Sequence, residues 1–214
     1  VFAHLPAGGV VVDHSTTSAE LARDMAAAAA ESGHQFIDAP VSGGQAGAEA
    51  GKLTVMAGGD VGAFSRIEPV LQCYAARYRR LGETGSGQLA KMVNQICIAG
   101  LLQGLSEAMH FGQQAGLDMA AVVDVIGAGA AQSWQMDNRA ATMLQGEFDF
   151  GFAVDWMRKD LRYVLDEARR QSVSLPVTAL VDQFYAQVQN LGGGRKDTSS
   201  LLLALQASQA KAQD

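Results

Sequence analysis

Cysteine is nearly missing from these 214 residues: Cys73 and Cys97 are the only two. Neither belongs to a zinc-type Cys/His spacing, because His4, His14, His34 and His110 are scattered singly. No metal chemistry is expected, and the two thiols read as buried and reduced, as in a cytoplasmic protein. Positive charge is also scarce. Sixteen Lys and Arg against twenty-two Asp and Glu leave a formal net charge of −6, with no basic footprint for nucleic acid or an anionic membrane. No apolar run approaches the roughly 18 residues that a membrane-spanning helix needs. The opening VFAHLPAGGVVVD has no signal-type pattern and reads as mid-domain sequence. What is present is ordinary globular composition, 48% apolar and 18% charged, enough for one large or two small domains.

Short apolar runs alternate with helical ones in the first part. Val10–Asp13 reads as a buried strand, Ser18–Ser32 as an alanine-rich helix stopped by Gly33, and Phe36–Pro40 as a second strand. A Gly/Ala-rich stretch spans Ser42 to Gly51. Leu53–Ala57 is a third strand, Asp60 caps a helix reaching about Tyr74, and Arg77–Leu81 closes as a short strand. Such alternation predicts α/β layering with partly parallel pairing. After Gly82 the period becomes helical and stays so. A long helix from Gln88 to about Ala115 is followed by Met119–Ile126, Ser133–Leu144, Asp155–Arg170, Val177–Asn190 and Thr198–Ala210. The predicted division is residues 1–84, α/β, and 85–214, all-α. With few strands and a first strand expected to be buried on both faces, a preceding stretch of the α/β domain is expected outside this sequence.

The long helix is apolar nearly all the way round, as for a helix inside a bundle or an obligate interface. One face breaks this pattern. Gln88, Lys91, Asn94 and Gln95 fall at i, i+3, i+6 and i+7 and share the first two turns. Lys91 lies near the positive end of the helix dipole, where burial and dipole both disfavour an ammonium; a lysine so placed can serve as a general base near neutral pH. Spacing alone favours a lysine reaching back to solvent. GSGQLA also fits a dinucleotide-type G-x-G-x-x-A, but no strand follows within a βαβ-sized unit, so that reading is rejected.

The segment Gly85-Ser86-Gly87-Gln88-Leu89-Ala90-Lys91-Met92-Val93-Asn94-Gln95 resembles the catalytic segment of the β-hydroxyacid dehydrogenases, the 3-hydroxyisobutyrate dehydrogenase and tartronate semialdehyde reductase group related to 6-phosphogluconate dehydrogenase. The resemblance implies that Lys91 is the proton-transfer residue, with Asn94 and Gln95 holding lysine and substrate. Asp38-Ala39-Pro40-Val41-Ser42-Gly43-Gly44 resembles the family's substrate-binding motif, which implies that Ser42, Gly43 and Gly44 receive a carboxylate. Independently of the family, successive glycines after a strand can expose backbone N–H groups to an anion, or simply form a turn.

Asp13-His14-Ser15-Thr16-Thr17 resembles the strand end beside the nicotinamide ribose, implying cofactor contacts from Ser15 and Thr16; His14 departs from the serine often found there. Locally, Ser15 and Thr16 also suit helix capping. Gly146 through Phe152 to Lys159 resembles the stretch that brings a second lysine to the cofactor, implying roles for Phe152 and Lys159; an exposed Asp155–Lys159 helical pair is the local alternative. Trp134 and Phe152 read either as pocket walls or as core. Gly194, Asp197 and Ser199 resemble the family's C-terminal segment.

The family likeness implies a partial Rossmann-type NAD(P)-binding domain followed by a helical dimerisation and substrate domain, with NAD or NADP as cofactor and a small hydroxy acid as substrate. It also implies a homodimer or homotetramer. The glycine loop and first strand of such a domain are not found in this sequence, so impaired cofactor binding is expected. Two other classes fit less well: a non-catalytic relative used as a binding or oligomerising module, and an imine-type reductase of related fold, against which Lys91 argues.

Overall fold

The computed structural model describes residues 2–213, with side chains through residue 209. The chain divides into two compact units, Val1–Asn94 and Gln95–Asp214, the division falling within the sequence of one long helix.

In the first unit, a 3-10 turn (Phe2–His4) precedes strand β1 (Val10–Asp13), whose three valines suit a pleated backbone. Helix α1 (Ala19–Glu31) starts where the Ser18 hydroxyl accepts the Leu21 N–H at 3.1 Å, and it stops before Gly33, whose φ of 72° only glycine adopts cheaply. Strands β2 (Gln35–Asp38), β3 (Val41–Ser42), β4 (Leu53–Gly58) and β5 (Ala75–Gly82) complete a five-stranded mixed sheet. β1 runs parallel to β2, and β4 parallel to β5, while β2 and β3 each meet β4 antiparallel. Between β3 and β4 lies α2 (Gly44–Glu49); between β4 and β5 lies α3 (Val61–Leu71), capped by Asp60 on the Ala63 N–H at 2.8 Å. Ile37, Val55, Ala57, Phe64, Ile67 and Leu71 form the core between sheet and α3.

Helix α4 (Ser86–Gln114) carries the chain into the second unit, which continues with α5 (Met119–Gly127), α6 (Trp134–Gln145), α7 (Val154–Arg170), α8 (Pro176–Asn190) and α9 (Leu201–Gln213). Each helix buries one stripe. On α7 it is Val154, Met157, Leu161, Val164 and Ala168, which meets Val181, Tyr185 and Val188 of α8. A second cluster joins Leu105 and Met109 of α4 to Met119, Met136, Met143, Phe148 and Leu202. The expected class, a Rossmann-type α/β part followed by a helical part, is what the chain adopts.

The Gly/Ala-rich stretch contains a short helix, α2, because its alanines supply helix propensity between the glycines. Three expectations need correction. β1 is half-buried along its length, not buried, and among the described residues it pairs only with β2. Both cysteines are exposed: Cys73 sits in the turn after α3, and Cys97 lies on α4 between Val93 and Leu101, four residues to either side. That same stripe shows that α4 is not buried all round within this chain, since Val93, Leu101 and Phe111 are exposed.

Candidate active site

The first turn of α4 has no capping side chain of its own; it opens on Gly85-Ser86-Gly87. Asp38, the last residue of β2, supplies the cap from 47 and 50 residues away. Its two carboxylate oxygens accept the Gly85 N–H at 2.7 Å and the Gln88 N–H at 2.9 Å. Asp38 is fully buried. Burial pushes its pKa above the ordinary carboxylate value, against the opposing pull of the backbone donors at Gly85, Gln88, Asp38 and Gly87. Close approach is possible because two neighbours lack side chains. A Cβ on Gly87 would stand 2.4 Å from the Met56 carbonyl oxygen, and one on Gly58 would stand 2.6 Å from Asp38 Oδ1.

Gln88 projects from this turn and is 1% exposed. Its Oε1 accepts the Thr17 N–H at 3.0 Å and its Nε2 donates to the Ser15 carbonyl at 2.8 Å. Ser15 and Thr16, the candidate cofactor contacts, therefore lie in a loop fixed to α4. Neither caps α1, because Ser18 does that. His14 has its own use in the same loop end. Its Nδ1 lies 2.6 Å from the Ala39 carbonyl and its Nε2 lies 2.8 Å from the Tyr74 hydroxyl. A carbonyl can only accept, so Nδ1 carries the proton toward Ala39, and in the neutral ring Nε2 accepts from Tyr74. Burial raises the Tyr74 pKa, with a smaller contribution from Cys73.

One turn beyond Gln88, Lys91 is 7% exposed, so it does not reach back to solvent. Asn94 is half-buried on the same helix. Ser42, half-buried, pairs with Thr54 in the β3–β4 ladder, and Gly43 and Gly44 follow it exposed, at φ of 123° and 59°. Those two dihedrals suit glycine and leave the backbone bare at the turn into α2. In this unit the structure thus joins Ser15–Thr17 to the helix of Lys91 through Gln88, and joins the strand end leading to Ser42 to that helix through Asp38.

The remaining candidates belong to the second unit. Gln95, 2% exposed, donates to Asp160 Oδ2 at 2.8 Å, and Asp160 is paired through Oδ1 with Lys159 at 3.0 Å. Gln95 and Lys159 are thus brought together on one buried carboxylate, while Asp155 accepts from Gln189. Phe152 stands apart from them: half-buried, it packs on the α7–α8 core, and its N–H donates to Asp197 Oδ2 at 3.0 Å. Trp134 is exposed, with the Arg139 guanidinium 5.0 Å from its ring.

Asp160 escaped the sequence reading, while Asp38, Gln88 and Asp197 were singled out there but not as the structural partners they are. For Asp38 the usable signal was a helix beginning on two glycines, whose N–H groups need satisfying from elsewhere. Among the described residues no cluster of His, Cys, Asp and Glu could hold a metal ion, and no helix is long and apolar enough to cross a membrane.

A mixed α/β unit with polar loops at its strand ends runs through α4, which carries the buried Lys91, into a helical unit. Comparison with known proteins makes this specific. Residues 1–85 match the family model described as the NAD binding domain of 6-phosphogluconate dehydrogenase, and residues 85–205 match that described as NAD-binding of NADP-dependent 3-hydroxyisobutyrate dehydrogenase. An uncharacterized oxidoreductase of Shewanella frigidimarina is 59% identical over 95% of this chain and 70% of its own. The 2-(hydroxymethyl)glutarate dehydrogenase of Eubacterium barkeri is 36% identical over 92% of this chain and 65% of its own. Among solved structures, Mycobacterium tuberculosis 3-hydroxyisobutyrate dehydrogenase with L-serine superposes at a TM-score of 0.87, with 29% identity over 96% of this chain and 72% of that one. The chain belongs to the β-hydroxyacid dehydrogenase family.

Proposed function

We propose that the chain serves an NAD- or NADP-dependent dehydrogenase acting on a short β-hydroxy acid, 3-hydroxyisobutyrate-like, or on its semialdehyde. The observation that carries this reading is the burial of Lys91 on α4, in the segment that resembles the family's catalytic one. Residues 1–84 supply the dinucleotide-binding part and residues 85–214 the helical part. The residues present fit part of such a cofactor: Ser15 is exposed and Thr16 half-exposed in a fixed loop at the carboxyl end of a parallel strand, where dinucleotides lie in folds of this kind. Ser15 and Thr16 would hold the nicotinamide end; Lys159 and Phe152 are the second unit's own candidates for a cofactor contact. When bound, this cofactor supplies or takes up the hydride.

The chain's own residues handle charge and protons. Ser42, Gly43 and Gly44 orient the substrate carboxylate with a hydroxyl and bare backbone N–H groups. Lys91 in its amine form removes the hydroxyl proton during oxidation; as the ammonium it protonates the forming alkoxide during reduction. Asn94 and Gln95 hold lysine and substrate in register.

Gly85-Ser86-Gly87 leads from β5 into α4, but no strand follows that helix among the described residues and Asp38 already accepts its Gly85 and Gln88 N–H groups, so it is not read as the pyrophosphate loop. One experiment with two arms tests the reading. The gene product that contains this chain, offered 3-hydroxyisobutyrate, tartronate semialdehyde and serine with each cofactor, is expected to turn over at least one of them. The isolated 214 residues are expected to bind NADPH or NADH more weakly than micromolar by calorimetry. A gene product inactive on the whole panel would remove the substrate assignment.

The exposed stripe of Val93, Leu101 and Phe111 on α4 supports a homodimer or homotetramer. Sedimentation at the monomer mass would contradict it.

A further inference from the structure

The protein buries the Gln88 amide almost completely and spends both ends of it on one loop. We propose that Gln88 is a positioning residue that sets the cofactor-side loop Ser15–Thr17 in register with Lys91; this rests on the dehydrogenase reading above.

The argument begins with the pattern of its bonds. The Gln88 amide accepts the N–H of Thr17 and donates to the carbonyl of Ser15, two residues apart, as a neighbouring strand would. Thr16 lies between the two anchored groups, so the clamp fixes the direction in which its backbone and hydroxyl point. The other end of the clamp is rigid. The Gln88 backbone N–H is held by the buried Asp38 carboxylate, and Gly85 is held by the same carboxylate, so the turn that carries Gln88 cannot swing freely. Lys91 follows three residues later on the same helix face. The loop proposed to hold the nicotinamide end and the group proposed to move the proton are therefore referred to one helical turn.

Other amides would not do this equally well. Asparagine in place of Gln88 is one methylene too short to keep both contacts. Glutamate keeps the acceptor for Thr17 but, when ionised, sets an oxygen against the Ser15 carbonyl; only its protonated form restores a donor there. Misplacement of about 1 Å in a site can cost on the order of 100-fold in rate. A side chain that merely fills space would have no reason to respond to protonation.

The test uses the gene product that contains this chain with Gln88→Met, which keeps the volume, and Gln88→Glu. For Gln88→Met we expect kcat to fall by at least about 10-fold, with KM for the hydroxy acid changed far less and the loss constant with pH relative to the wild type. For Gln88→Glu the deficit relative to the wild type is expected to shrink as pH falls. Amide exchange gives a second readout independent of activity: the Thr17 N–H should be protected in the wild type and lose protection in Gln88→Met while the α3 amides keep theirs. An active wild type with Gln88→Met at wild-type kcat, or with unchanged Thr17 exchange, would overturn the positioning role alone. A wild type without dinucleotide-dependent turnover would overturn the dehydrogenase reading and this role together.

Discussion

Lys91→Ala should leave the fold in place and lower turnover by about 10²–10⁴-fold or more, the usual size of a lost proton transfer at the reacting oxygen. Burial makes the prediction sharper than the resemblance alone. A lysine 7% exposed is not there to solubilise the helix. Lys91→Arg separates charge from chemistry. A guanidinium keeps the positive charge but does not release its proton in this pH range, so it should rescue little of the oxidative direction. Steady-state rates in both directions, with circular dichroism as the control for folding, decide the matter. Turnover within about tenfold of wild type in Lys91→Ala, with a folded protein, would remove Lys91 from the mechanism.

Asp197→Ala is the substitution expected to damage stability most. Its carboxylate is 1% exposed and accepts from the Arg139 Nε at 3.1 Å, the Ser199 N–H at 3.0 Å, the Ser199 hydroxyl at 2.6 Å and the Phe152 N–H at 3.0 Å. These bonds tie the segment before α7 to the one before α9 and to α6. Its removal strands buried donors and one guanidinium, a loss of about 3–5 kcal/mol by analogy with broken buried ion pairs. Gly151 confirms how closely the carboxylate is enclosed: a Cβ there would lie 1.9 Å from Asp197 Oδ2. Urea denaturation should show the midpoint falling with little change in slope. A loss under about 1 kcal/mol would mean that solvent or a neighbour replaces the carboxylate.

Much of this was legible in sequence, and the reason differs by element. The helices of the second unit announce themselves through apolar stripes at 3.6-residue spacing, while their caps at Asp118 and Ser133 emerge only in the structure. Strand β1 was legible as a strand from its valines but not in its burial, since burial depends on what covers a strand and not on its own side chains. Lys91 stood out because it interrupts an apolar face, although the pattern could not tell an inward lysine from an outward one. Gln88 and Asp38 were harder still. Their roles are pairings across 47 to 73 residues, and periodicity carries no information about such distances. Cys97 was misjudged because an apolar neighbourhood in sequence became an exposed stripe in space.

The two bare positions beside Asp38 have a consequence for how this site can vary. At Gly87 and Gly58, the atoms that a methyl group would strike are backbone oxygens and nitrogens and the capping carboxylate itself, none of which can turn aside like the tip of a long side chain. Residues 38, 58 and 87 therefore form a set in which no single exchange has a nearby compensating partner. A drifting sequence can trade one core aliphatic for another around α3, but here it must keep all three residues or rebuild the end of the helix.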